Sequence, residues 1–387
     1  MALTCVDDYR LAAKRYLPKT IFDFVDGGSE RELTLRANRQ DFESLWFNPR
    51  TLVDVGKVDL TTKLLGKPIS MPLMISPTGL AGIVRSEGDV AVASAAEQAD
   101  IPYCLSTTAS HSIEEVAEGA GGNKWFQLYF FRDRELTRGF VDRAKQSGYE
   151  ALVMTVDLVR GGKREKDMRN GFTVPPRITP QNFFDMVSHP LWLMRMAPHL
   201  KDITMGNVKG LDGAGEGVVA LSSFMNQQID PTISWDDLSW LRKNWDKPLL
   251  VKGVLNGEDA RRMVDLGADG IIVSNHGGRQ LDGAPSTISV LKEIVDAVGG
   301  DAEIILDSGI RRGADIVKAL ALGATACGIG KSMLYGLATD GQTGVTGVIE
   351  MLRREIDLAM AMTGTRRIAD ISSDILRSRV FFTDHKI

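Results

Sequence analysis

The chain has 387 residues, 43% of them hydrophobic and 25% charged, which excludes a disordered chain, a collagen-like repeat and a disulfide-knit mini-protein. With 50 acidic against 46 basic residues, the net charge of −4 lacks the basic excess that a nucleic-acid surface requires. Cys5, Cys104 and Cys327 are too widely spaced for a disulfide framework or a Cys-x-x-Cys ligand pair. They predict a reducing, cytoplasmic setting. Met1 to Asp8 has neither the basic start nor the apolar core of a signal peptide, and no run approaches the ~18 apolar residues of a membrane span.

In chain order, residues 1–60 read as a helical cap. Eight short apolar bursts follow, at 72–76, 102–106, 125–129, 151–155, 248–252, 270–274, 303–307 and 325–329. Each is continuous rather than alternating, as expected of parallel strands buried on both faces. Helical stretches lie between most of them. Gly257 to Leu266 and Ala314 to Leu322 each end at a glycine, Gly267 and Gly323, suited to a helix C-terminus. This alternation predicts one α/β domain, a (β/α)8 TIM barrel over 70–365, with an open doubly wound sheet as the competing arrangement. Strands four and five are separated by about ninety residues, far beyond an ordinary crossover. That insertion, 158–247, contains Pro175-Pro176, an apolar, mildly basic segment (Phe183, Phe184, Leu191 to Met194, Met196, with Arg195 and Lys201) and a glycine-rich stretch from Gly206 to Gly217. A lid, a subunit contact and a peripheral membrane contact all fit such a segment. Residues 366–387 form a tail.

Polar residues end the bursts: Ser76-Pro77-Thr78, Ser106, Gln127 with Tyr129, Thr155 with Asp157, Lys252, Ser274-Asn275-His276, Asp307-Ser308-Gly309 and Gly330-Lys331. In a barrel all eight ends meet at one mouth. One such residue, even Lys252, is commonly a satisfied structural group, but eight together point to a ligand. Gly309 and Gly313 around Ile310-Arg311-Arg312, with Gly328-Ile329-Gly330-Lys331, fit a phosphate at the ends of strands seven and eight; plain turn chemistry is the bland alternative. A P-loop is excluded because Thr325 stands where its first glycine belongs, and no Gly-x-Gly-x-x-Gly opens a helix after strand one. No clustered His/Cys pattern supports a metal.

His276 precedes Gly277-Gly278 and lies three residues before Arg279, while Asp157 and Arg164 follow strand four. An imidazole base, a carboxylate to orient it and two guanidiniums to hold an anion read as proton abstraction next to a carboxylate. Arg164 also belongs to the run Lys163-Arg164-Glu165-Lys166, which could equally be a solvated surface. At this level a flavin-free barrel isomerase acting on a sugar phosphate and a non-catalytic binding protein remain open.

The stretch Ser274-Asn275-His276-Gly277-Gly278-Arg279-Gln280-Leu281-Asp282 closely resembles the FMN-dependent 2-hydroxy acid dehydrogenase/oxidase family, which includes lactate and mandelate dehydrogenases and glycolate oxidase. The resemblance runs from about Asp7 to Ile371. It passes through Leu17-Pro18-Lys19, Phe126-Gln127-Leu128-Tyr129, Thr155-Val156-Asp157 and Leu306 to Gly313. It implies FMN at the barrel mouth and oxidation of an L-2-hydroxy acid to the 2-oxo acid. Electrons would pass to a quinone or similar carrier, or, in an oxidase, to O2. His276 would be the base, paired with Asp157. Arg164 and Arg279 would bind the substrate carboxylate, with Tyr129 and Phe24 against the substrate. Lys252 would place its charge at the flavin. Pro77, Thr78, Gly79, Ser106, Gln127, Thr155 and Ser274 would meet the isoalloxazine. Asp307 would take the ribityl chain, and Ser308, Gly309, Arg311, Gly330 and Lys331 the phosphate end. The family's tetramers imply a homotetramer.

Three departures stand out. Phe24 replaces a tyrosine whose hydroxyl meets the substrate carboxylate, a lost donor worth about 1–3 kcal/mol. Lys331 replaces an arginine, giving a point charge in place of a fork. Gly79 stands where typical oxidases have Ala and where mandelate and quinone-linked lactate dehydrogenases have Gly, which tilts the reading towards a dehydrogenase. Ser188-His189-Pro190-Leu191-Trp192 resembles the corresponding loop of lactate dehydrogenases.

Overall fold

The computed structural model describes residues 2–171, 180–199, 202–215 and 217–378; Pro175, Pro176, Lys201 and residues 379–387 of the tail lie outside the described residues. Eight parallel strands close into a barrel: β1 (Leu73–Ile75), β2 (Tyr103–Ser106), β3 (Lys124–Leu128), β4 (Ala151–Thr155), β5 (Leu249–Val254), β6 (Gly270–Val273), β7 (Glu303–Asp307) and β8 (Ala326–Ile329). Neighbours pair in chain order and β8 pairs with β1. The strand bounds fall within two residues of the apolar bursts, so the fold is a (β/α)8 barrel as the alternation predicts.

Side chains alternate across each strand. Leu152 and Met154 of β4, and Leu249 and Val251 of β5, turn outward into the large core shared with the helices. Met74, Cys104, Trp125, Val153, Leu250, Ile272, Ile305 and Ala326 form a separate cluster inside the barrel. An antiparallel hairpin, Thr62–Leu64 with Lys67–Ile69, adds Leu64 and Ile69 to that cluster and closes the N-terminal end. Two residues further along each strand, on the same inward face, come Ser76, Ser106, Gln127, Thr155, Lys252, Ser274 and Asp307, all buried, with Gly328 on β8. These residues form the top layer of the barrel. Gly328 leaves room for its neighbour, since a Cβ there would stand 2.3 Å from Ser76 Oγ.

Three helices precede the barrel: α1 (Val6–Tyr16), α2 (Lys19–Asp26) and α3 (Leu33–Ser44). α1 packs on the long helix Lys331–Thr363. α3 is tied to the loop after β6 by two buried amides: Asn38 Nδ2 donates to Asn275 Oδ1 (2.9 Å), and Asn275 Nδ2 to Asn38 Oδ1 (2.7 Å). Asp282 caps the same helix, accepting from Arg31 N (3.1 Å) and Thr34 N (3.0 Å). Gly267 and Gly323 follow their helices with φ of +96° and +103°, as a helix-terminating glycine should.

Between β4 and β5 lie α4 (Glu165–Arg169), α5 (Pro180–Val187), α6 (Pro190–Met196), α7 (Gly217–Gln228) and the helix Trp235–Asn244. This segment folds back on the barrel mouth. Trp192 Nε1 donates to Ile83 O (3.3 Å), and Asn207 Nδ2 to Ser106 O (3.2 Å) while its Oδ1 accepts from Ile113 N (2.8 Å). Asn38→Ala removes two buried hydrogen bonds, leaving Asn275 only Pro285 O and Gly278 N, and should lower stability by about 1–3 kcal/mol. Urea denaturation checks this, and an unshifted midpoint contradicts the role given to the amide pair.

Candidate active site

A cavity of about 750 Å³ opens at the C-terminal ends of the strands, lined by Phe24, Pro77, Thr78, Gly79, Tyr129, Arg164, His276, Arg279, Arg311 and Lys331 together with Ser76, Ser106, Lys252, Asp307 and Gly328 of the top layer. Every loop named from sequence reaches it or packs directly beneath it. The strand ends converge because parallel strands in a barrel all point their C-termini one way.

His276 Nδ1 lies 2.9 Å from Asp157 Oδ1. Burial raises the Asp157 carboxyl, but the His276 and Lys252 charges overcome this and hold it below the usual carboxylate range. An ionised carboxylate only accepts, so Nδ1 carries the hydrogen and Nε2 presents a lone pair. Burial pulls the imidazole below its ordinary value against the pull of Asp157, and the charges of Lys252 and Arg164 act in the same direction as burial. His276 is therefore a neutral base near pH 7. Its φ of +59° is left-handed and strained for a non-glycine residue, and Gly277 and Gly278 continue the turn at +66° and +71°. A Cβ on Gly278 would stand 2.7 Å from Leu35 N. Gln280 Nε2 ties this turn to the loop of Asp157, donating to Asp157 O (2.9 Å) and Arg160 O (3.0 Å).

Lys252 is buried in the top layer. Its Nζ lies 2.8 Å from Ser274 Oγ and 3.1 Å from Asp307 Oδ2. Burial alone would lower this ammonium; Asp307 and Asp157 reverse the shift and raise it. Ser274 Oγ also accepts from His276 N (3.1 Å) and donates to Asp307 Oδ2 (3.1 Å). That exhausts the hydroxyl, so Ser274 holds Lys252 and the His276 backbone rather than offering a free group to a ligand. This differs from the contact expected of it, because the neighbouring ammonium and amide claim both lone pairs.

Gln127 Oε1 accepts from Thr107 N (3.2 Å) and Ser106 Oγ (3.1 Å). The backbone donor fixes which end of the amide is oxygen, leaving Nε2 buried without a partner. Thr155 Oγ1, Asp157 Oδ2 and Arg164 Nε are buried and unpartnered too. Arg164 lines the cavity, and Gln127, Thr155 and Asp157 stand next to the lining residues Ser106, Lys252 and His276; buried polar atoms left without a partner at such places have capacity for a ligand. Gly79 is constrained by Thr108, whose Oγ1 would lie 2.4 Å from a Cβ at 79.

Arg164, Arg279, Arg311 and Lys331 line the same cavity, along with Arg39 and Lys252. Burial lowers Arg164. Burial and the adjacent Arg164 pull Arg279 down to about 9. Burial, Arg279 and Arg311 push Lys331 well below its usual value. Cations that destabilise one another in this way are relieved by an anion. The Phe24 ring stacks with Arg279, 5.0 Å from guanidinium to centroid. Gly309, with φ +86°, closes on α3, where a Cβ would meet Asn38 O at 2.3 Å.

Several lining residues were not singled out from sequence: Asn38, Arg39, Thr108, Asp167, and Ser222, Ser223, Asn226 and Gln227 from α7. Asp167 had a signal, three residues after Arg164, in the short helix that Arg164 precedes. The α7 residues had none beyond lying in the insertion.

The geometry defines a barrel with an imidazole–carboxylate pair beside a cation-lined cavity. The family model for FMN-dependent dehydrogenase matches residues 13–378, and the chain belongs to that family. The L-lactate dehydrogenase of Pseudomonas syringae pv. syringae (strain B728a) is 42% identical over 376 residues, 97% of this chain and 99% of that protein. The L-lactate dehydrogenase of Vibrio cholerae serotype O1 (strain M66-2) is 41% identical over 379 residues, 98% of this chain and 100% of that protein. Among solved structures, a monotopic membrane protein, (S)-mandelate dehydrogenase, matches with a TM-score of 0.94 at 42% identity, covering 98% of this chain and 100% of that one. Mandelate oxidase with (S)-4-hydroxymandelic acid matches at 0.85 and 38% identity, covering 98% and 100%. The chain is an FMN-dependent oxidoreductase of 2-hydroxy acids.

Activity that needs neutral His276 should fall as pH drops through a value below the ordinary 6.5. Asp157→Asn removes the charge that favours the imidazolium. It should move that limb lower still and cut kcat/KM by about 100-fold. A pH–rate profile checks both; a limb that rises instead contradicts the pairing.

Proposed function

We propose that the chain oxidises an L-2-hydroxy acid of the lactate or mandelate type and delivers the electrons to a quinone or similar carrier. The observation that carries this reading is that His276, 2.9 Å from Asp157 behind it, shares one cavity with Arg164 and Arg279. The relatives named above act on lactate and mandelate, which supports the substrate class.

The site fits FMN: the orphaned Gln127 Nε2 and Thr155 Oγ1, paired in the barrel with the lining residues Ser106 and Lys252, suit a heteroatom-rich ring, and the cations that line the cavity suit a phosphate. Thr78, Ser106, Gln127 and Thr155 would hold the isoalloxazine, Pro77 and Gly79 would border it, and Asp307 would take the ribityl chain. Ser308, Gly309, Arg311, Gly330 and Lys331 would hold the phosphate. FMN, when bound, supplies a two-electron acceptor. Lys252 contributes a fixed positive charge that needs no rearrangement during the reaction.

The substrate carboxylate takes charge-assisted bonds from Arg164 and Arg279, with the Tyr129 hydroxyl beside them. This orients the hydroxyl-bearing carbon. His276 Nε2 accepts one proton as the alcohol becomes a ketone, and Asp157 stabilises the resulting imidazolium.

The outer face of α5 and α6 supports a membrane-side acceptor. Phe184, Leu191 and Met194 are 71%, 66% and 72% exposed, whereas Trp192 on the same helix is 3% exposed and packed inward. Contiguous exposed apolar side chains of this kind insert into a lipid interface. No helix among the described residues is long and apolar enough to cross a membrane. The monotopic membrane neighbour supports peripheral attachment by this face.

Flavin-loaded protein should be bleached anaerobically by L-lactate or L-mandelate and reoxidise slowly in air. Rapid reoxidation by O2 would identify an oxidase. His276→Ala should slow the bleaching by about 10²–10⁴-fold; a loss below tenfold would refute its role. Phe184→Glu with Leu191→Glu should abolish co-sedimentation with lipid vesicles without changing flavin reduction. Retained sedimentation would exclude this face as the attachment site.

A further inference from the structure

Four cationic or phenolic groups from distant parts of the chain meet at the C-terminal end of α2. Lys331 Nζ donates to Asp26 O (2.8 Å) and Gly27 O (2.9 Å). Arg279 Nη1 donates to Phe24 O (2.6 Å) and to the same Gly27 O (3.1 Å). Arg10 forks onto the Asp26 carboxylate, Nε to Oδ1 at 2.6 Å and Nη2 to Oδ2 at 2.7 Å. Tyr335 OH donates to Asp26 Oδ1 (2.6 Å) and accepts from Arg311 Nη2 (3.4 Å), whose guanidinium lies 5.4 Å from the phenol centroid. A helix C-terminus carries partial negative charge, so it is a natural seat for cations. Gly27 is fixed closely: a Cβ there would stand 2.5 Å from Asp23 O.

We propose that Asp26 is a positioning residue that makes the end of α2 a common mount for both anion sites. Its carboxylate pins the helix end to Arg10 and Tyr335. The pinned carbonyls then aim Arg279 at the substrate carboxylate and Lys331 at the phosphate end, while Tyr335 steadies Arg311. This rests on the reading in which Arg279 takes the substrate and Arg311 with Lys331 takes the flavin phosphate. The shared acceptor, Gly27 O, makes the coupling physical. An anion that draws one cation away frees that oxygen for the other. None of these bonds includes His276 or Asp157, so the mount acts on binding rather than on proton transfer.

Asp26→Asn and Tyr335→Phe test this in the full chain with three readouts. The first is the Kd for FMN, from quenching of flavin fluorescence on titrating apoprotein. The second is the Kd for oxalate, a carboxylate the enzyme cannot oxidise by this route, from the absorbance change of flavin-loaded protein. The third is the split between KM and kcat. Asp26→Asn should raise both Kd values at least fivefold, raise KM with them, and lower kcat less than threefold. Tyr335→Phe, which removes one oxygen, should move both Kd values the same way by smaller factors, and it decides the matter if Asp26→Asn does not fold. An increase in the FMN Kd alone, with the oxalate Kd and KM unchanged, overturns the proposal. So does a fall in kcat without a change in either Kd. Arg279→Met and Arg311→Met check the underlying assignments separately: unchanged oxalate affinity in the first, or unchanged FMN affinity in the second, would indict those assignments and not the mount.

Discussion

A buried ammonium governs the mouth of this barrel. Lys252 occupies an inward position in the top layer, where an unpaired charge would cost several kcal/mol. Asp307 and Ser274, from the two strands that follow, meet it at 3.1 and 2.8 Å. The requirement therefore fixes β5, β6 and β7 at one level. Ser274 then spends its remaining lone pair on His276 N, which sets the start of the strained turn that carries the base. A bulge follows at once: the β5–β6 register shifts between Lys252 and Val254, and Gly253 turns to φ +101°. A Cβ at 253 would stand 2.6 Å from Asp157 Cβ. The bulge thus makes room for the carboxylate that meets the His276 imidazole.

The second constraint is an excess of positive charge in a low-dielectric space. Arg164, Arg279 and Lys331 are all displaced towards the neutral form by burial, and Arg279 and Lys331 also by neighbouring cations. A protein interior tolerates such a group only where anions complete it. Some of that completion is internal, from helix-end carbonyls and from Asp167. The remaining positive charge makes the cavity favourable for anions.

The motif from Ser274 to Asp282 shows how few of its residues face the chemistry. Asn275 pairs with Asn38, Gly278 accepts the close approach of α3, Gln280 ties the turn to the Asp157 loop, and Asp282 caps α3. Only His276 and Arg279 offer groups to the cavity through their side chains. The insertion contributes in the same indirect way: Asn207 clamps the carbonyl of Ser106, and Trp192 hooks onto the segment after Gly79.

Strand positions and the polar top layer were legible in the sequence. A residue's face in a parallel barrel follows from a period of two, so an inward apolar residue such as Leu250 or Ile305 forces the residue two places on, Lys252 or Asp307, to face the mouth. The residue types at those places, with the resemblance carried by the Ser274–Asp282 stretch, also pointed to the cofactor and the base. What lay beyond reach were bonds between segments far apart in the chain. Asn38 with Asn275, and Asp26 with Tyr335, belong to no local pattern. Neither could the sequence tell that Ser274 is saturated from within, or that α7 lines the cavity. Those outcomes depend on barrel register and on where long connections land. They are settled only when helices and strands pack against one another, because a side chain's hydrogen-bond partners are whatever tertiary contact brings within 3 Å or so.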